Sequence, residues 1–241
     1  MESTKHGWQL HRAPLGLKLS ISLLVVTLSA GLLASQFLVS QSLHGSDHWT
    51  WPSMEQLRLK YAASPLERAI LTQMAQYLDK PTEAAPVVAW SQAGGERSTY
   101  YEHVAPVLDR RCLRCHGGES TRGDVDLSTW GDLAPLALSR GPAWGDLLRN
   151  THLHLFGISL LLFLAGVLLW CSRWSRWLQL GLPLLAFVAL LADIGGWWLS
   201  RHFEPAIYLV MSGGLLMTAG LTACLVLVLF DMWRPGPKSS A

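Results

Sequence analysis

Four stretches of this chain are too long and too apolar to be left in water: Leu19–Val39, Leu153–Cys171, Leu178–Leu199 and Ala206–Phe230. They hold 21, 19, 22 and 25 residues, and a helix needs about 20 apolar residues to cross a hydrocarbon core. Together they contain one acid, Asp193, and one histidine, His154. The first stretch could also suit a secretory signal, but the apolar core of a signal is shorter, about 7–15 residues. It is therefore expected to stay as an anchor.

The segment between the first and second stretches belongs to another solvent. His44–Arg149 carries 13 of the 17 acids and 11 of the 19 Lys and Arg, so a water-exposed domain of about a hundred residues is expected there, enough for one small core. The whole chain is only 15% charged with a net charge of +2, which argues against disorder and supplies no basic field for nucleic acid. The basic residues near the span ends set an orientation. Lys5, Arg12 and Lys18 precede the first span, Arg173 and Arg176 join the second and third, and Arg234 and Lys238 follow the fourth. With four spans all three groups share one side, and the positive-inside bias makes it the cytoplasm. Trp170, Trp174, Trp177 and Trp233 then mark one interface, and Trp49, Trp51, Trp197 and Trp198 the other. The expected segments are a leader 1–18, spans 19–43, 150–172, 178–200 and 205–232, an aqueous insert 44–149, and a tail 233–241.

One motif carries redox chemistry: Arg111-Cys112-Leu113-Arg114-Cys115-His116-Gly117-Gly118. Cys-x-x-Cys-His is the attachment signature of c-type haem. Two thiols three apart can each form a thioether to a haem vinyl group, and the adjacent imidazole then falls under the iron. A redox dithiol or half a zinc site are the competing readings. A zinc site needs two more ligands, and the other cysteines, Cys171 and Cys224, lie within or at the ends of spans and read as buried apolar residues.

The run from Tyr100 to Gly118, followed by Asp126-Leu127-Ser128-Thr129, resembles the attachment helix and following strand of bacterial cytochrome c domains. The resemblance covers Ser98–Gly141. It implies one covalently bound haem c with His116 as the proximal iron ligand. Small soluble members of that group usually supply a Met some tens of residues after the motif; here the next one is Met211, in the last span. The distal candidates are therefore Met54, Met74, His44, His48, His152 and His154. His103 is disfavoured, since nine residues of helix place it about 13 Å from Cys112. Met74 also reads as core, in a capped amphipathic helix running from Ser64-Pro65 through Leu71 to Leu78.

The membrane part has candidates of its own. His154 and His202 could hold a haem b between facing helices, whereas His152 and His154, two apart, point to different faces. Interfacial histidines also simply snorkel or bond loop carbonyls. Asp193 lies about 9 Å below the interface by helical rise, and an acid at that depth is expensive. With Trp197 and His202 it could serve a quinone or a proton path; alternatively it bonds Ser212 or Thr218 and fixes packing. Gly195-Gly196 and Gly213-Gly214 would let helices approach closely. Elsewhere, Pro52–Lys80 reads as two helices broken at Ser64-Pro65. Glu83–Arg97 reads as a linker with a short extended piece at Val87–Trp90.

The expected fold is mainly α: a four-helix transmembrane bundle with a small helical cytochrome c domain inserted between spans one and two. The expected role is electron transfer at the periplasmic face of a bacterial inner membrane, as a subunit of a larger redox complex rather than a stand-alone enzyme. A quinol-reactive membrane cytochrome and a haem-based gas or redox sensor are the rival readings.

Overall fold

The computed structural model describes residues 9–44, 51–118 and 125–235. Among these the chain is helical with no strand. It divides into two compact units: residues 1–52, 145–197 and 208–241 form one, and 53–144 with 198–207 the other.

The first unit is the transmembrane bundle. Its four spans are α1 (Leu15–His44), α9 (Trp144–Trp170), α10 (Arg176–Leu199) and α11 (Ile207–Trp233). Each has the length and apolarity to cross a membrane, and the chain is a multi-pass membrane protein. Leu23, Phe156, Leu184, Leu191 and Leu215 face outward, where lipid replaces a protein partner. The inner seam of α10 and α11 is built from small residues. A Cβ on Gly213 would lie 2.6 Å from the Asp193 backbone nitrogen, and one on Gly220 would lie 2.9 Å from the Ala186 Cβ. Only hydrogen fits at these points, so the backbones approach as small-residue interfaces in membranes allow. Of the four glycines expected to do this, Gly213 does it; a Cβ on Gly195 would meet open space.

Basic residues from three segments gather at one end of the bundle; Lys5 and Lys238 lie outside the described residues. Arg173 donates through Nε to Asp231 at 2.8 Å and through Nη2 to the carbonyls of Asp231 and Arg234 at 2.9 and 3.1 Å. The Lys18 ammonium lies 5.7 Å from the Trp233 ring centroid, and the Leu10 amide bonds the Cys171 carbonyl at 3.1 Å. Tryptophan indoles tie the same end together. Trp174 donates to the Leu227 carbonyl and Trp233 to Ser22, each at 3.0 Å.

The second unit wraps short helices around one apolar core. They are α2 (Met54–Tyr61), α3 (Pro65–Leu71), α4 (Ala85–Gln92), α5 (Arg97–Thr99), α6 (Ala105–Arg111), α7 (Leu113–His116) and α8 (Trp130–Leu138). Local chemistry sets their starts. Ser53 and Gln56 form a reciprocal capping box, Ser64 caps α3 with Pro65 in its first turn, and Thr129 caps α8. Ile70, Val87, Trp90, Val104, Leu108 and Leu133 fill the centre. The Trp90 and Trp130 indoles donate to the Glu96 and Gly95 carbonyls at 2.8 and 3.0 Å, which holds the loop between α4 and α5.

Several expectations change. The break at Ser64-Pro65 is present, but α3 ends at Leu71 rather than running through Met74. Thr72 leaves helical geometry and its hydroxyl bonds back to the Arg68 carbonyl at 2.6 Å, so Met74 stands in a turn, half-buried. Val87–Trp90 is helical, not extended. Prolines at 81 and 86 start successive helical turns there, and Val87 and Trp90, three apart, face the core. Among the described residues no strand follows the Cys-x-x-Cys-His run; Asp126 and Ser128 hold a turn that passes directly into the cap of α8. Trp197, two residues before the end of α10, is buried against the protein. α9 begins at Trp144, six residues before the expected span, and α1 begins at Leu15.

Candidate functional site

The Cys-x-x-Cys-His run sits where helix meets turn. α6 carries Val107 and Leu108 into the core and ends at Arg111. Arg111 is clamped to the turn before α4 by ion pairs to Asp79 and, at 3.0 Å, to Glu83. The Cys112 amide closes on the Leu108 carbonyl at 2.7 Å, and α7 then presents Cys115 and His116. Cys112 packs against the core with its thiol half-buried. Burial, and then the neighbouring Cys115, push that thiol above its ordinary range. A nucleophilic redox dithiol needs the opposite shift.

His116 is oriented by the chain that follows it. Its Nδ1 lies 3.0 Å from the Val125 carbonyl oxygen. A carbonyl can only accept, so Nδ1 carries the proton and Nε2 keeps its lone pair. The Leu127 amide returns to the His116 carbonyl at 2.8 Å, and the Gly118 amide donates to Ser128 Oγ at 2.9 Å. Ser128 in turn donates to Asp126 through its amide and hydroxyl, which holds that carboxyl below its ordinary range. Gly117 is required sterically: a Cβ there would lie 2.7 Å from the Leu113 carbonyl oxygen. Two free thiols at the attachment spacing and an imidazole with Nε2 available fit a covalently held haem. Among the described residues no three His, Cys, Asp or Glu side chains gather to hold a metal ion by themselves, as a closed zinc site would require.

The distal candidates are scattered. Met54 opens α2 and Met74 precedes a single 3-10 turn, both half-buried in the same unit as the motif. His44 ends α1, and His48 lies outside the described residues. His152 is exposed with its ring 4.7 Å from that of Phe156. His103 is exposed beside Glu102.

A second constellation lies inside the bundle. Asp193 is 7% exposed, and its Oδ1 accepts from the Trp197 indole at 3.0 Å. The His154 ring meets the Trp197 ring edge-on at 5.0 Å. His154 donates through Nδ1 to the Asn150 carbonyl at 2.8 Å, so its Nε2 is the acceptor. Ser212 gives its hydroxyl proton to the Tyr208 carbonyl of its own helix at 2.7 Å. Asp193, Trp197 and His154 are thus brought together, and His152 is turned elsewhere. His202 belongs to the other unit, in a cleft with Arg58, Gln92, Arg140, Arg201 and Glu204. Sequence reasoning missed this cleft, because its residues come from four separate segments. Glu67 lies in the first turn of the capped helix that begins at Ser64-Pro65. Its amide does bond Ser64, but its side chain turns inward.

These features define a multi-pass membrane protein whose second unit carries a Cys-x-x-Cys-His run. Residues 141–239, which contain α9, α10 and α11, match the model of the Aq_1264_TM family, a transmembrane helical domain. No curated protein and no solved structure matches the chain.

Proposed function

We propose that the protein is a membrane-bound monohaem c-type cytochrome, moving electrons at the periplasmic face of a bacterial inner membrane as part of a larger redox complex. The observation that carries this reading is the bond from His116 Nδ1 to the Val125 carbonyl. It gives the imidazole of a Cys-x-x-Cys-His motif the tautomer and orientation that an axial ligand needs. Cys112 and Cys115 would form the two thioethers, and a haem so held supplies one-electron redox chemistry. The raised Cys112 thiol argues against a dithiol exchange site. The periplasmic assignment rests on the basic residues that precede α1, join α9 to α10 and follow α11. Four spans exceed what an anchor requires, which favours docking against other membrane subunits.

Expression with the bacterial haem-attachment machinery tests this. Haem should remain on the denatured chain in gels, in a ratio of one per protein, and be lost in Cys112→Ser/Cys115→Ser. A chain that leaves such cells without covalent haem would end the proposal.

A quinol-reactive role is the second reading, favoured by the buried Asp193 held by Trp197 beneath His154. It predicts that quinol reduces the haem and that Asp193→Asn slows this at least severalfold; an unchanged rate would remove it.

A further inference from the structure

The aqueous unit contains a polar cleft of about 520 Å³, lined by Arg58, Gln92, Arg140, Arg201, His202 and Glu204. Beneath it lies Glu67, whose side chain is fully buried. Glu67 Oε1 accepts from Arg58 Nη2 and from Gln92 Nε2, each at 2.8 Å. Its Oε2 has no hydrogen-bond partner and lies 3.8 Å from Arg140 Nη1. One buried carboxylate thus positions three of the cleft's side chains.

The cations around the cleft are unequally neutralised. Arg58 is saturated, since it also pairs with Glu55 through Nε and Nη2 at 3.0 and 2.9 Å. Arg140 has only the 3.8 Å approach to Glu67 and a 3.5 Å bond to the Ser91 carbonyl. Arg201 forms no ion pair among the described residues. It lies 4.5 Å from the Trp144 ring centroid and donates through Nη1 to the Pro142 carbonyl. A stacked guanidinium keeps in-plane N–H groups free for an oxoanion, a use to which lysine is poorly suited. Gly141 makes this arrangement feasible. Its φ of +67° turns the chain, and a Cβ there would meet the Tyr61 carbonyl oxygen at 2.5 Å and the Arg201 stem at 3.2 Å.

Chain connectivity keeps part of the cleft lining close to the end of a membrane span. Arg201 and His202 follow Leu199, the last residue of α10, by two and three positions, and Trp144 opens α9. These side chains are therefore held within about a turn of the bilayer boundary, where lipid phosphates lie. We infer that the cleft binds a phosphoryl oxoanion at the membrane surface, held chiefly by Arg140 and Arg201. This stands apart from the haem and does not rest on it.

The test uses the full chain in neutral detergent, with the thermal midpoint read against added short-chain phosphatidylglycerol, phosphatidylcholine or inorganic phosphate. Phosphatidylglycerol should raise the midpoint more than phosphatidylcholine does. The apparent affinity should fall about tenfold in Arg140→Gln and again in Arg201→Gln, as loss of a charge-assisted bond implies. Stabilisation by phosphatidylglycerol but not by inorganic phosphate assigns the oxoanion to a lipid headgroup; equal stabilisation by inorganic phosphate assigns it to a soluble phosphate. Far-UV circular dichroism and size-exclusion profiles identify folded variants. If folded Arg140→Gln responds like the wild type, or if no phosphoryl compound acts, the inference is overturned.

Discussion

The indole N–H of Trp197 donates to the carboxylate of Asp193, one helical turn earlier, at 3.0 Å. Both side chains are buried in the bundle, so neither can exchange the other for bulk water. Trp197→Phe keeps the apolar body of the ring but removes the donor. It should cost about 1–2 kcal/mol of bundle stability, measured as a lower unfolding midpoint in detergent. A variant as stable as the wild type would mean that the bond contributes nothing.

The close approach of α10 and α11 depends on Gly213. Gly213→Ala must push apart two backbones, because the new carbon would lie 2.6 Å from the Asp193 nitrogen and 2.8 Å from the Ala189 carbonyl oxygen. Overpacking of this kind costs about 1–3 kcal/mol. Gly195→Ala, with nothing within 4 Å, should be neutral or slightly stabilising. Equal behaviour of the two variants in thermal unfolding would refute the packing account.

Glu67 is the most exacting residue of the aqueous unit. Glu67→Ala strands the Arg58 guanidinium, whose side chain is 16% exposed, and unties Gln92. Breaking a buried pair from one side costs about 3–5 kcal/mol. Arg58 retains Glu55 as a partner, so the lower end of that range is expected. Hydrogen exchange in peptides covering α2, α3 and α4 should accelerate in this variant, while α11 stays protected. Uniform exchange across both units would contradict a local role.

Acid should loosen the end of α6. Glu83 is held below its ordinary value of 4.5, first by its hydrogen bond from Arg111. A carboxylate shifted downward stabilises the fold above its ordinary pKa and loses that contribution as pH falls through the lowered value. Protection of peptides spanning Ala105–His116 should therefore decline as pH drops below about 4.5. In Arg111→Gln the decline should be shallower, starting from weaker protection. Parallel curves for the two proteins would show that the Arg111 clamp does not carry the effect.

Much of the architecture was legible from local pattern. A run of about 20 apolar residues has few options besides spanning a bilayer, and α1, α9, α10 and α11 coincide with the four runs within a few residues at most ends. The Cys-x-x-Cys-His run is local too, with Cys112 at the junction of α6 and α7 and Cys115 and His116 in α7. Local pattern failed where a neighbour from elsewhere set the outcome. Val87 and Trp90 look extended by composition, yet the core formed with Leu66, Val104 and Leu133 takes them as one helical face. Trp197 looks like an interfacial anchor, and only the structure shows that its indole is bonded to Asp193.

Membrane insertion is therefore written in the sequence itself, because transfer into hydrocarbon is a property of short contiguous segments. Only the tertiary structure decided which charges share an environment. Glu67 gathers Arg58, Gln92 and Arg140, and Arg201 joins the same cleft. The free energy of a desolvated ion depends on the partners within a few ångströms, and those partners come from helices far apart in the chain. No spacing rule links them; the packed core of the aqueous unit does.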